Sequence, residues 1–209
     1  MQIIAVNQTG QVSDKDLHRA IAVLERGGVI GYPTDTLYGL GVDSTNAAAV
    51  NHLFQVKNRL SVPVSIMLDS VESLLAALVN PDAAVEKLVR AFLPGELTIV
   101  GKCNLDLAAG IPARSGLTGM RVPNHALDLA LVKTLGRPIT STSANLSGFP
   151  SALNIETVIA YFNDQIELLF DQGTLRHSPG STVLDISQRP FKILREGAIK
   201  RTQLEPYLV

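Results

Sequence analysis

The chain has no tryptophan and a single cysteine, Cys103. One cysteine excludes an intrachain disulfide and a cysteine-based zinc cluster. It reads instead as a small buried or half-buried apolar residue. Aromatic residues make up only 5%, so the core must be built from Val, Ile, Leu and Ala. Charge of one sign is also lacking: 18 Lys+Arg against 19 Asp+Glu leave a net charge of −1. That balance argues against the large phosphate footprint of a strongly basic nucleic-acid binder. A local basic patch is still compatible with it. No apolar run reaches the ~20 residues of a membrane span. The N-terminus lacks the basic stretch and apolar core of a signal peptide. There is no internal repeat and no low-complexity tract. A soluble protein of a reducing compartment, expected in the cytoplasm, fits these absences. What is present is a 46% hydrophobic chain of 209 residues, enough for one large domain spanning 1–209.

Strand and helix patterns alternate along the first two thirds. Residues 3–6 read as a short strand. Ser13 reads as an N-cap, with Asp14 and Asp16 in the first turn. Leu17, Ala20, Ile21 and Leu24 fall at helical spacing, closed by Gly27-Gly28. A strand over 29–32 ends at Pro33, and a polar, glycine-rich loop follows over 34–41. Helices are expected over 46–56, 71–79, 81–92, 125–135 and 155–162, with Pro81 in the first turn of the third. Strands are expected over 64–68, 97–100, 120–122, 138–141 and 166–170. A long irregular loop joins two of them over 102–118. Residues 182–186 and 191–194 look like a final antiparallel pair. The expected class is α/β, with a twisted sheet of mixed parallel and antiparallel strands flanked by helices.

Several polar clusters interrupt this apolar chain. The loop over 33–41 carries Thr34, Asp35 and Thr36. Its neighbours Gly31, Gly39 and Gly41 would let backbone approach a ligand closely. The bland alternative is a turn capped by Asp and Thr. Lys57 and Arg59 sit at the end of a helix, where cations also favour the macrodipole. The run Thr140-Ser141-Thr142-Ser143-Ala144-Asn145-Leu146-Ser147-Gly148 follows a strand and is rich in small hydrogen-bonding groups. Such groups can cradle an anion without adding charge, or merely bond their own backbone. Arg121 lies inside a short apolar strand and, if buried, needs an anionic partner: a protein carboxylate or a ligand carboxylate. Arg195 closes another strand and poses the same choice. The hydroxyls of Ser181 and Thr182 open a strand after Pro179-Gly180, facing a cleft or capping a turn. His18, His52, His125 and His177 show no metal-ligand spacing, so no protein metal centre is expected.

In their order these stretches resemble the YrdC/TsaC family, the L-threonylcarbamoyladenylate synthases. The matching segments are Tyr32 to Gly41, Lys57-x-Arg59, Leu93 to Thr98, Met120 to Pro123 and Ser141 to Gly148. Gly180 to Asp185 and Ile193 to Ile199 match near the C-terminus. No single motif is specific, but the ordered set spans nearly the whole chain. The stretch after Arg59 departs from the family, which usually has Pro next and then Lys or Asn before Pro-Leu. Here Leu60 follows Arg59, and Val62-Pro63-Val64-Ser65 replaces the rest.

The resemblance implies one YrdC-like α/β domain around a deep, positively lined cleft. It implies ATP-dependent synthesis of L-threonylcarbamoyladenylate from L-threonine, bicarbonate and ATP, with release of pyrophosphate and with Mg2+ as cofactor. A partner tRNA threonylcarbamoyl transferase would then use the product, with direct contact to tRNA or double-stranded RNA as a further expectation. Carried onto this chain, the family signatures fall on Lys57, Arg59, Ser143 and Asn145 as catalytic residues. Lys57, Arg59, Ser143, Ser151 and Arg195 would hold the nucleotide, and Thr36, Arg121, Ser141 and Ser181 would hold L-threonine. The alternatives are a YciO-type paralogue, an RNA-binding module without catalysis, and a related transfer enzyme with another acceptor.

Overall fold

The computed structural model describes residues 1–58, 64–112 and 115–208. Its strands are β1 (Gln2–Ala5), β2 (Ile30–Pro33), β3 (Tyr38–Gly41), β4 (Ser65–Met67), β5 (Leu97–Lys102), β6 (Leu117–Arg121), β7 (Ile139–Ser143), β8 (Leu168–Asp171), β9 (Thr182–Asp185) and β10 (Lys192–Arg195). They form a ten-stranded sheet in the order β1-β8-β2-β3-β7-β4-β6-β5-β9-β10. Parallel pairs (β1 with β8, β2 with β8, β4 with β6, β5 with β9) mix with antiparallel ones such as β2–β3 and β9–β10. The expected mixed α/β sheet is present.

The helices are α1 (Asp14–Glu25), α2 (Ala47–Val56), α3 (Val71–Ala77), α4 (Ala83–Phe92), α5 (Ala126–Leu135), α6 (Ile155–Phe162) and α7 (Arg201–Leu204). Their starts follow from short polar side chains. Ser13, Asn46, Ser70, Asp82 and Asn154 each accept a backbone N–H of the first turn. Pro81 therefore precedes the cap of α4 rather than occupying its first turn. The short C-terminal α7 carries too few residues to show a periodicity and was not expected.

Strand alternation sorts the sheet into two faces. One face carries the larger apolar cluster, with Tyr38, Leu40, Ile66, Leu97, Ile99, Met120 and Leu184 packed under side chains from α2, α3, α4 and α6. The opposite face is covered only in part. There α1 and α5 pack on Ile30, Tyr32, Met67 and Ile139. Beyond that cover the same face of β7, β6, β5 and β9 carries Ser141, Ser143, Gly119, Arg121, Thr98 and Asp185, which line a cavity. The cavity thus lies on the part of one sheet face that the two helices leave uncovered.

The segment after Pro33 corrects the expected loop over 34–41. Only 34–37 turns; Tyr38–Gly41 is strand β3, paired antiparallel with β2 so that Tyr32 lies opposite Gly39. The glycines serve packing. A Cβ at Gly41 would come within 2.8 Å of the Tyr32 ring and of Ile139, and one at Gly31 within 2.7 Å of Leu169. Tyr32 fills the space over Gly39 and Gly41 and donates from its hydroxyl to the Thr140 carbonyl at 3.0 Å. Likewise β6 starts at Leu117, and β7 runs on to Ser143, into the hydroxyl-rich cluster.

Candidate functional site

The cavity has a volume of about 590 Å3, inside the roughly 300–1,000 Å3 range of small-molecule sites. Thr36, Arg121, Ser141, Ser143, Ser151, Ser181 and Arg195 all contribute to its wall. These residues come from sequence positions far apart, and the sheet brings them to one place.

Arg121 ends β6 and is buried, with 6% exposure. Its partner is a protein carboxylate: Nη2 donates to Asp35 Oδ1. Nε donates to the Gly95 carbonyl at 2.9 Å and Nη1 to Thr36 Oγ1 at 3.2 Å. Asp35 is itself held by the Asn124 N–H at 3.0 Å. Three of the about five guanidinium N–H groups are thus committed to fixed partners. The fork is held rigid on the cavity wall, with an N–H on each terminal nitrogen left to donate. Sequence reasoning had noted Asp35 only as a loop residue.

Arg195 stands at the exposed rim. Its Nη2 donates to the Ser181 carbonyl at 2.8 Å and to Ser181 Oγ at 3.3 Å. Ser181 Oγ also lies 2.9 Å from Thr98 Oγ1. Among the described residues no carboxylate stands within ion-pair distance of Arg195. Loss of solvent, and then the Arg121 cation, hold its pKa below the ordinary value. Two cations that face one cavity and repel each other favour an anion between them.

This rim is set by two interlocked C-terminal turns. Ala198 N donates to the Gly180 carbonyl, Gly197 N to Thr182 Oγ1, and Thr182 Oγ1 to the Ile199 carbonyl at 2.6 Å. A Cβ on Gly197 would fall 2.3 Å from the Gly180 oxygen. Gly197→Ala is therefore expected to cost about 1–3 kcal/mol of stability by overpacking. Urea unfolding reads this, and an unchanged midpoint would contradict the close packing.

Lys57 caps α2, yet it is not the surface cation its position suggested. It is 2% exposed, and Nζ donates to the Ser143 carbonyl. Ser143 Oγ in turn donates to Asn145 Oδ1. The Asn145 amide donates to the Leu146 and Phe149 carbonyls at 2.9 and 3.0 Å. Asn145 therefore does not line the cavity. It pins the loop that carries Ser143 and Ser151, whose ends also meet β3 through Ala144 N to Tyr38 O and Tyr38 N to Ala152 O. Lys57 and Asn145, behind the cavity wall, are both hydrogen-bonded to Ser143, which lines it. Arg59, with the altered stretch after it, lies outside the described residues.

Sequence reasoning missed Ser65, Thr98 and Gly119 on the cavity floor. A Cβ on Gly119 would meet Ser65 Oγ at 2.4 Å. The available signal was small residues alternating with buried apolar ones along β5 and β6. Among the described residues no group of three His, Cys, Asp or Glu is placed to hold a metal ion. None of the described helices is long and apolar enough to cross a membrane.

A family model covering Sua5, YciO and YrdC, described as "Telomere recombination", matches residues 22–197. A threonylcarbamoyl-AMP synthase of Bacillus subtilis is 34% identical over 96% of this chain and 59% of its own length. The crystal structure of Pyrococcus abyssi Sua5 complexed with L-threonine superposes with a TM-score of 0.92 at 30% identity, over 99% of this chain and 61% of that one. Escherichia coli YciO shares the fold, with a TM-score of 0.88 at 23% identity over 99% of this chain and 98% of that one. The chain spans about 60% of the length of the Bacillus and Pyrococcus relatives.

Proposed function

Because the chain belongs to the Sua5/YciO/YrdC family, we propose that it is a nucleotidyltransferase making L-threonylcarbamoyladenylate from L-threonine, bicarbonate and ATP. The observation that carries this reading is the pair Arg121 and Arg195 facing one cavity over a floor of serine and threonine hydroxyls. One amino-acid carboxylate and one nucleotide phosphate would satisfy the two cations. Residues 1–209 act in this proposal as one YrdC-like domain.

The threonine amine captures bicarbonate, losing water, to give a carbamate. A carbamate oxygen then attacks the α-phosphorus of ATP; the bond to the bridging oxygen breaks and pyrophosphate leaves. Holding two small reactants beside a nucleotide lowers the barrier by several kcal/mol, up to about 7–11 in ideal cases. Arg121 takes the threonine carboxylate as a rigid fork. Thr36, Ser141 and Ser181 bond its amine, hydroxyl or carboxylate. Arg195, Ser143 and Ser151 hold the phosphates. The Lys57 cation behind Ser143, with Arg59 as a second cation, stabilises charge that grows on the phosphates. Asn145 serves by fixing Ser143.

Magnesium is expected with the nucleotide. The described residues supply no three-ligand cluster of their own, so the ion would ride on the phosphate oxygens, where Mg2+ keeps most of its waters. There it would neutralise phosphate charge. A cytoplasmic setting, a partner tRNA threonylcarbamoyl transferase and direct tRNA contact complete the proposal.

Arg195→Gln is expected to raise the KM for ATP about tenfold, the loss of one charge-assisted contact, with the KM for threonine within about twofold. Steady-state kinetics with each substrate varied reads this, and equal effects on both would remove Arg195 from the phosphate end. The reaction itself is tested with ATP, bicarbonate and each amino acid in turn, with the product identified by mass. Threonine-dependent pyrophosphate release supports the proposal; release that ignores the amino acid sinks it.

A further inference from the structure

We propose that His125 and Asp128, outside the cavity, share one proton and that this pair positions the Asp35–Arg121 bridge, so that a carboxylate binds at Arg121 more weakly once the proton leaves. The carboxylate's identity as threonine rests on the function proposed above; the coupling between the pair and the bridge does not.

His125 stands at the N-cap of α5, with its ring between two acceptor oxygens. Nδ1 lies 3.2 Å from Asp128 Oδ1 and Nε2 lies 2.8 Å from Gln172 Oε1. The Gln172 amide nitrogen lies 3.4 Å from the Asn7 carbonyl, with its oxygen toward the ring. A neutral imidazole has one N–H and cannot donate to both. Either the ring is an imidazolium, or Asp128 is protonated and donates to Nδ1. In both forms one proton resides on the pair, and the pair carries no net charge.

The surroundings hold that proton in place. Asp128 is 0% exposed, and its Oδ2 has no hydrogen-bond partner among the described residues. A bare ionised carboxylate there is costly. A Cβ on Gly10 would sit 3.1 Å from His125 Nε2, so the glycine lets backbone close over the ring. The charged and titratable groups facing the pair are Tyr32 from β2, Asp35 from the turn after it and Arg121 from β6. Helix α1 packs against α5 with the apolar Ala20, Ile21 and Leu24. Asp171, next to Gln172, turns Oδ1 to the Gly173 N–H.

Burial disfavours the imidazolium, but the hydrogen bond and charge of Asp128, the bond to Gln172 and the charge of Asp35 outweigh it and raise the His125 pKa. Burial likewise pushes the Asp128 carboxyl up, against the pull of His125. The sign follows for folding. A pair that holds its proton more tightly folded than unfolded favours the fold at low pH, and that advantage is lost as pH rises from about 6.5 through the raised midpoint.

The link to the cavity is one residue long. Asn124 precedes His125 and donates its backbone N–H to Asp35 Oδ2, while Asp35 Oδ1 takes Arg121 Nη2. Loss of the shared proton places a net negative charge behind that bridge. The charge draws on Arg121 and lowers the positive potential it offers to a ligand. Through the effective dielectric of a protein, a unit charge behind the bridge weakens the binding of a carboxylate at Arg121 severalfold or more.

The test is nitrogen-15 NMR of the full chain across pH, following the His125 ring and the Arg121 Nε–H. In the wild type both are expected to titrate with one midpoint, above the ordinary histidine value. In Asp128→Asn the ring's proton affinity should fall about tenfold or more, and the Arg121 transition should move to lower pH with it. His125→Gln, whose side chain cannot titrate, should abolish the transition at the wild-type midpoint and covers the case in which Asp128→Asn does not fold. An Arg121 signal that stays still through the His125 titration overturns the proposal, as does an unchanged midpoint in Asp128→Asn. Calorimetry with L-threonine on the same samples should show severalfold weaker binding above the midpoint in the wild type, with that change moved to lower pH in Asp128→Asn. Equal pH dependence in wild type and Asp128→Asn counts against the pair. An Arg121 transition that follows the pair, with no threonine binding at any pH, sinks the threonine function and leaves the pair standing.

Discussion

Lys57→Met is expected to lower turnover by about thirtyfold or more while the protein still folds. Lys57 is 2% exposed and its ammonium donates to the Ser143 carbonyl. Methionine keeps the apolar stem and fills the same space but removes the charge. Losing a fixed charge that stabilises a transition state typically costs about 2–4 kcal/mol, which is about 30- to 900-fold in rate. The freed carbonyl costs a further ~1–3 kcal/mol of stability, within reach of a marginally stable domain. Single-turnover rates at saturating substrates, with a urea melt of the same sample, separate the two losses. A variant that melts near the wild type and turns over at wild-type rate would remove Lys57 from the chemistry.

Arg121→Lys should raise the KM for threonine at least about tenfold and leave the KM for ATP within about twofold. Lysine keeps the charge that Asp35 needs but has no planar fork, so the charge-assisted contact worth about 1.5–3 kcal/mol is lost. Arg121→Ala is the harsher change. Asp35, whose side chain is 12% exposed, then stays behind without its cation. Breaking such a buried pair costs about 3–5 kcal/mol. The alanine variant should therefore lose stability as well as threonine affinity, and the lysine variant should isolate the affinity term. Equal rises in both KM values for Arg121→Lys would contradict the placement of the carboxylate at this end.

Much of this architecture is legible in the sequence. The N-cap at Ser13 and the 3.6-residue spacing after it locate α1 well, because a short polar side chain bonding its own first turn is a local event. The cavity residues 121 and 195 stood out as lone arginines in short apolar strands and 36, 141, 143 and 181 as small hydroxyls in polar loops and at strand ends, while their roles came from the family resemblance. What was hidden depends on contacts distant in sequence. Strand β3 reads Tyr-Gly-Leu-Gly, a poor strand by propensity; it forms because Tyr32 needs the space above Gly39 and Gly41. The carboxylate that holds Arg121 lies 86 positions away. Lys57 looks like an ordinary helix-end cation until β7 brings the Ser143 carbonyl over it. Asp128 falls within the helix expected over 125–135, and nothing local says that it is fully buried.

In the proposed reaction one cavity holds an amino-acid carboxylate at Arg121 and a nucleotide polyphosphate near Arg195 and Ser143. A crystal structure of the chain with L-threonine, Mg2+ and a non-hydrolysable ATP analogue tests it most directly. The account predicts the threonine carboxylate within hydrogen-bond reach of Arg121 and Thr36, and phosphate oxygens within reach of Arg195 and Ser143. Ligands bound away from this face of the sheet, or a phosphate on Arg121 with threonine elsewhere, would contradict it.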